Sequence, residues 1–403
     1  ELVANQKDLN FKPGEEHLYC NTGFTLLAEV VARVSKQSFA DFVKSNIFDP
    51  LGMTHSLFYD DYEMLVKNRA YAYWPEGVKF KKGILSSSRV GPTGLFTSLE
   101  DLSLWTKNFS NPTVGNANII SQMNTLATLN NGKTFGGAYG QYITEYKGLH
   151  QIYHGGSSEA GYRAYLGRFP DQEFAVIVLS NFESANPNRL SMQVVDLYLK
   201  EFMSQNTSDE KQEEITYEKL GTEDLQAFEG YYWDAQRFTS SKIYVKNDTL
   251  RWSIGGGGNG SPLGSIANNT FQILNGRRDL SLLFEQKDQA KRMMIAIDNL
   301  DPIICEAYVP KSYAQEDLAQ FTGSFYSEEL QTTYTFLLKD GQLVAEHTRV
   351  NDISFTEVQE DMFSGDQSFF TNVKFLRNDQ NEIIGMHVSS FQLRNLYFEK
   401  VKP

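Results

Sequence analysis

The chain carries only two cysteines in 403 residues, Cys20 and Cys305, and they stand far apart. A disulfide framework is therefore not indicated, neither spacing resembles a zinc site, and cysteine usage does not report a redox compartment. No run of about 18 apolar residues occurs, so no segment is expected to cross a membrane as a helix. No Lys/Arg block offsets the formal net charge of -13, which would repel a phosphate backbone, and nucleic acid is not an expected partner. Residues Glu1 to Asn10 have neither the apolar core nor the cleavage site of a secretory signal, and the chain does not begin with Met. A segment is expected to precede residue 1.

What is present argues for folded structure with an ample core: 41% of residues are hydrophobic and 13% aromatic. The length predicts two or three domains. Phe11-Lys12-Pro13-Gly14-Glu15 reads as a turn that delivers the chain to Tyr19-Cys20-Asn21. After it, Leu26, Leu27, Val30, Val31 and Val34 recur at helical spacing and predict a helix from Thr22 to Ser35 with that face buried. Phe39, Phe42, Val43 and Ile47 predict a second helix stopping near Pro50-Leu51-Gly52. Residues 56 to 93 are loop-rich and aromatic, with Tyr71, Tyr73 and Trp74, as suits the wall of a cleft. Ser98 followed by Asp101 starts a further helix with Leu102, Trp105 and Phe109 inward.

From Gly140 the period becomes strand-like. Antiparallel strands are expected over Gln141 to Lys147, Leu149 to Tyr153, Gly161 to Phe169 and Glu173 to Phe182. The continuous apolar run Ala175-Val176-Ile177-Val178-Leu179 predicts a strand covered on both faces by helices. Pro187 opens a helix whose Leu190, Val194, Leu197, Tyr198 and Phe202 are expected to pack across the sheet. Residues 1–203 then form one domain and 204–222 a polar, acidic linker. Beyond it Leu225-x-x-Phe228-x-Gly230-x-Tyr232-Trp233 recurs as Leu318-x-x-Phe321-x-Gly323-x-Phe325-Tyr326. Each copy continues in alternating strands with turns at Asn247-Asp248 and Asp340-Gly341, which predicts two small antiparallel β-barrels over 223–312 and 313–403. The fold class is α+β. Barrel interiors of this size more often fill with side chains than with a small ligand.

The chemistry-bearing stretches are Tyr19-Cys20-Asn21 and His154-Gly155-Gly156. The phenol of Tyr19 is a candidate proton acceptor, the amide of Asn21 a candidate holder of a substrate carbonyl. His154 is read as opening a small-residue turn in which Gly155, Gly156 and the N–H of Ser157 could line an oxyanion hole. Each has a plain alternative: aromatic and Asn residues are common at helix entrances, and a strand-end turn can hold an incidental imidazole. A free phenol has a pKa of roughly 10, so Tyr19 needs a cationic neighbour, which a Ser-x-x-Lys nucleophile site would supply. The sequence returns that pattern only as Ser208-Asp209-Glu210-Lys211, in the acidic linker, where it reads as chance. The nucleophile is expected upstream of Glu1. Cys20 paired with His154 is a competing reading; a buried small residue at position 20 is the simpler one.

Taken together, the run from Phe11 through Tyr19-Cys20-Asn21-Thr22-Gly23, Asn46 to Met53, Gly94-Leu95 before Ser98 to Leu102, and His154-Gly155-Gly156 before Arg168-Phe169-Pro170 resembles the serine β-lactamase-related family. This group holds class C β-lactamases, D-alanyl-D-alanine carboxypeptidases, D-aminopeptidases and esterases. The resemblance covers roughly residues 1 to 203. It implies an antiparallel sheet flanked by helices beside a helical lobe, incomplete here at its N-terminus, with Tyr19 as general base, Asn21 as substrate-amide binder and His154 opening the third motif. Histidine in place of lysine there, and the downstream barrels, look closer to the D-aminopeptidase and esterase branches. The implied activity is acyl-enzyme hydrolysis of an amide or ester, with D-amino-acid peptides or β-lactams as candidate substrates, no metal or organic cofactor, and a small-molecule or peptide partner. The alternative is a non-catalytic peptide or cell-wall ligand-binding protein. The family's frequent export points towards the periplasm or cell surface.

Overall fold

The computed structural model describes residues 2–203, 217–254, 260–267, 269–274, 280–287, 290–297, 302–390 and 392–402. The chain divides into two compact units, Pro13–Lys211 and Gln212–Pro403, the latter joined by Glu1–Lys12. The motif Ser208 to Lys211 lies outside the described residues.

In the first unit, α1 (Asn21–Ser35) is followed by α2 (Phe39–Val43), which runs on through a π-wound stretch, Lys44–Phe48, into Asp49–Leu51 and stops at Gly52 with φ 74°. Short strands β1 (Leu57–Phe58) and β4 (Leu95–Phe96) pair across a hairpin formed by β2 (Tyr73–Glu76) and β3 (Lys79–Lys82). Helix α3 (Leu99–Asn108) is capped by the Ser98 hydroxyl, and its buried Asp101 carboxylate accepts from the His55 N–H and the Ser56 hydroxyl, tying the helix to β1. Helix α4 (Ala117–Met123) leads to a five-stranded antiparallel sheet in chain order: β5 (Gly137–Ala138), β6 (Gln141–Tyr146), β7 (Leu149–Ser157), β8 (Arg163–Phe169) and β9 (Phe174–Ser180). Helix α5 (Pro187–Tyr198) lies against β8 and β9, and α3 also contacts β9. Among the described residues no helix is long and apolar enough to cross a membrane.

Two helix faces differ from expectation. On α1 it is Ala28 that is buried, against the close approach of Gly91, whereas Leu26, Leu27 and Val30 are exposed and Val34 is 81% exposed. On α5 the sheet takes Ser191, Val195 and Leu199, while Leu190, Val194, Leu197, Tyr198 and Phe202 stay exposed. Both helices carry apolar residues over a wide arc, so periodicity finds the arc but not the part that a neighbour covers. On α5, Asp196 accepts from the Tyr146 hydroxyl and the Lys147 ammonium at the β6–β7 turn, while the neighbouring Val195 packs into the sheet's core.

In the second unit, eight strands from Gly230–Asp234 to Ile303–Tyr308 and eight from Gly323–Ser327 to Leu393–Lys400 each close as an antiparallel barrel in chain order. Closure comes from first strand on last, Tyr231 opposite Tyr308 and Phe325 opposite Lys400. The turns at Asn247-Asp248 and Asp340-Gly341 have positive φ at both central residues, the twist that two-residue hairpins require. The repeated Leu-x-x-Phe begins in a short helix before each barrel and buries Leu225 in one core, Leu318 and Phe321 in the other. The second barrel's interior is occupied by its own rings, among them Phe325, Phe336, Phe363 and Phe375.

Cys305 is buried inside the first barrel, and burial, reinforced by the charge of Asp234, pushes its thiol up to about 12. Unfolded, the thiol ionises from about 9, so its contribution is fully present below that pH and is lost as pH rises to about 12. Urea midpoints measured across this window should therefore fall more steeply for wild type than for Cys305→Val, and parallel curves would refute the assignment.

Candidate active site

Tyr19 stands on a loop held at both ends. Upstream, Gly14 turns with φ 81° over Asn130, whose N–H donates to the Gly14 carbonyl at 2.8 Å and whose amide donates to the Pro13 carbonyl at 3.0 Å. A Cβ at position 14 would sit 2.4 Å from Asn130 Oδ1, so glycine is required twice over, by conformation and by space. His17 stacks on Phe135 with centroids 4.0 Å apart, and burial holds its imidazole below the usual range. Downstream, Cys20 caps α1: its Sγ accepts from the Gly23 N–H at 3.4 Å. Cys20 is exposed, not the buried filler expected from sequence, and its thiol serves as the cap of α1. Asn21 is the first residue of α1 and is exposed.

His154 is not in a turn. Strand β7 continues through Ser157, pairing His154 with Leu166, Gly155 with Tyr165, Gly156 with Ala164 and Ser157 with Arg163 of β8. The reversal comes at Ser158 to Gly161, where Ser158 N–H donates to the Tyr162 carbonyl and Gly161 N–H to the Ser158 carbonyl, each at 3.0 Å. Glycine's low strand propensity made the run look like a turn, and cross-strand pairing with β8 overrode it.

On the other edge, pairing with β6 ends at Tyr142 opposite Tyr153, because Tyr139 and Gly140 (φ 46° and 82°) fold the chain back into β5. Antiparallel strands direct alternate N–H groups to opposite edges. Since Ser158 donates towards β8, the N–H groups of Gly155 and Ser157 are directed to the edge where β6 has turned away, and residues 155–157 are exposed. The mainchain there is open to a ligand.

The fold brings Tyr19 and His154 together, ring centroids 6.3 Å apart at 33°. A third ring, Tyr142 of β6, lies 5.6 Å from His154 and 5.7 Å from Tyr153. Tyr142 went unnoticed in the sequence, and only the β6–β7 register, set by the two-residue turn at Lys147-Gly148, reveals it. Its phenol is pushed up by burial and then by the neighbouring Tyr19. The His154 Nδ1 lies 2.5 Å from the Gly155 carbonyl oxygen. A carbonyl only accepts, so this contact is a hydrogen bond in the tautomer that carries its proton on Nδ1, and that tautomer leaves the Nε2 lone pair free to accept. No group of three or more His, Cys, Asp or Glu poised for a metal occurs among the described residues.

An antiparallel sheet flanked by helices, with a tyrosine at a helix start facing an open-edged strand, has the architecture of a β-lactamase-like fold. Residues 3–198 match the Beta-lactamase family model. Protein flp of Staphylococcus aureus (strain MRSA252) is 26% identical over 179 residues, 44% of this chain and 36% of that protein. A D-aminopeptidase of Gluconobacter oxydans (strain 621H) is 23% identical over 193 residues, 46% of this chain and 35% of that protein. The chain thus spans about a third of the length of these relatives. Among solved structures, the octameric penicillin-binding protein homologue from Pyrococcus abyssi aligns with TM-score 0.44 and 21% identity, covering 84% of this chain and 65% of that one.

Proposed function

We propose that the protein is a serine hydrolase that cleaves an amide or ester bond through an acyl-enzyme, with its nucleophilic serine supplied by sequence upstream of Glu1. The observation that carries this reading is the meeting of Tyr19 with His154 beside the open N–H groups of Gly155 and Ser157. In the proposed reaction Tyr19 accepts the serine proton as the oxygen attacks the substrate carbonyl. The developing oxyanion accepts from the Ser157 N–H, and Asn21 donates its amide to a substrate carbonyl. The leaving group departs with a proton returned by Tyr19, and water activated by the same phenol releases the acyl group. His154 offers Nε2 as an acceptor where a lysine would offer only a cation. The relative named D-aminopeptidase favours D-amino-acid amides or peptides as the substrate class.

The test is intact mass and peptide mapping of the full-length gene product after reaction with a fluorophosphonate. One stoichiometric adduct on a serine upstream of Glu1 is expected. No adduct would overturn the hydrolase reading in favour of a ligand-binding protein on the same fold.

A further inference from the structure

The strand that carries Gly155 and Ser157 ends in the reversal Ser158 to Gly161, and that reversal is gripped by groups from distant segments. The Trp74 indole N–H, on β2, donates to the Ala160 carbonyl at 3.0 Å. Gly83, just past β3, backs onto the same carbonyl: a Cβ there would lie 1.7 Å from its oxygen. The Gly83 N–H donates to the Ala72 carbonyl at 2.7 Å, so the hairpin closes on itself around this contact. Gly161 (φ 106°) fits against Trp74 Nε1 and the Tyr73 carbonyl, and Ala160 is buried. Tyr73 is in turn fixed to the segment after β9, its N–H donating to the Asn181 carbonyl and its carbonyl accepting from the Glu183 N–H. From the other side, Arg163 donates to the Ser158 and Tyr162 carbonyls and pairs with Glu183 at 2.7 Å. Tyr162 donates its hydroxyl to the Ala70 carbonyl.

We infer that Trp74 is a positioning residue: by holding the Ala160 carbonyl it fixes the end of β7 and so the placement of the Ser157 N–H towards the substrate oxyanion. The inference rests on the hydrolase reading for its catalytic consequence and on the hydrogen-bond geometry for its structural one. Backbone-to-backbone bonds hold residues 158–161 only within the reversal itself. The indole bond is the side-chain bond made to the Ala160 carbonyl, so its loss loosens the turn at its tip while Arg163 still holds the Ser158 carbonyl at its base. A displacement of about 1 Å at an oxyanion donor can lower a rate by as much as 100-fold. Substrate binding away from that donor is untouched.

The experiment is fluorophosphonate inactivation of the full-length protein, resolved into kinact and KI, for Trp74→Phe, Trp74→His and Trp252→Phe. Trp252 is the matched control, since its indole also donates a buried bond, to the Ser241 hydroxyl at 2.9 Å in the first barrel. Trp74→Phe should lower kinact by about 10- to 100-fold with KI unchanged. Trp74→His, which keeps a ring N–H, should recover a large part of the loss, and Trp252→Phe should label at the wild-type rate. Trp74→Phe labelling at the wild-type rate, or Trp74→His as slow as Trp74→Phe, would overturn the inference. Amide hydrogen exchange of residues 154–163 in the same variants separates the two readings. If wild type takes no label the hydrolase proposal falls; faster exchange at Ser158 and Gly161 in Trp74→Phe would still support the positioning, and unchanged exchange would end it.

Discussion

Tyr19→Phe in the full-length protein should lower fluorophosphonate labelling and substrate turnover by about 100- to 10,000-fold, the range for loss of a positioned general base. The change removes one oxygen and keeps the ring that faces His154 at 6.3 Å, so the loop anchored by Asn130, His17 and Cys20 should persist. Stability should accordingly stay within about 0.5 kcal/mol of wild type, as for substitutions that open no cavity and orphan no buried group. The loss should fall on kcat more than on KM, because the phenol acts on a proton in flight and not on the bound substrate. Turnover within threefold of wild type would remove Tyr19 from the proposed chemistry, and with it the main reason for reading this loop as catalytic.

Phe321→Ala should cost about 3–5 kcal/mol, the usual penalty for truncating a fully buried ring. Phe321 is 0% exposed, and its ring lies 4.8 Å from Phe363, 4.9 Å from Phe375 and 5.1 Å from Tyr313. The emptied space is walled by rings that are themselves locked by further rings, so it has little freedom to collapse. Its counterpart in the repeat, Phe228, touches Phe271 and Phe284 but is only half-buried, and Phe228→Ala should cost about half as much. Urea unfolding with hydrogen exchange of peptides from each barrel would measure both. Equal costs would show that the two copies close their barrels in the same way, against the packing described.

Local patterns in the sequence carried a large share of this fold. The Pro13-Gly14 turn, the helix after Asn21, the cap at Ser98, the four main strands and the paired barrels all follow from signals within a few residues of one another. These are short-range physics: proline and glycine dihedrals, side-chain caps and hydrophobic period. The two runs Tyr19 to Asn21 and His154 to Gly156 stand at the ends of regular elements, α1 and β7, which is why they stood out along the chain.

Burial, pairing and approach were not legible. The arcs of α1 and α5 contain more apolar residues than any one neighbour covers, so periodicity alone does not choose between Val194 and Val195, and it is Val195 that packs with Leu149, Tyr165 and Val176. His154 to Ser157 carries strand-poor glycines and is nevertheless strand, because β8 supplies partners throughout. Tyr142 meets His154, and the Trp74 indole meets the Ala160 carbonyl, through a register and a hairpin contact that no local pattern encodes. The amino-acid order by itself determined which elements form and which residue types stand at their ends, since those depend on dihedrals and neighbours along the chain. Only the tertiary structure decided which faces are covered, which N–H groups are left open and which rings meet, because these depend on what arrives from elsewhere in the chain.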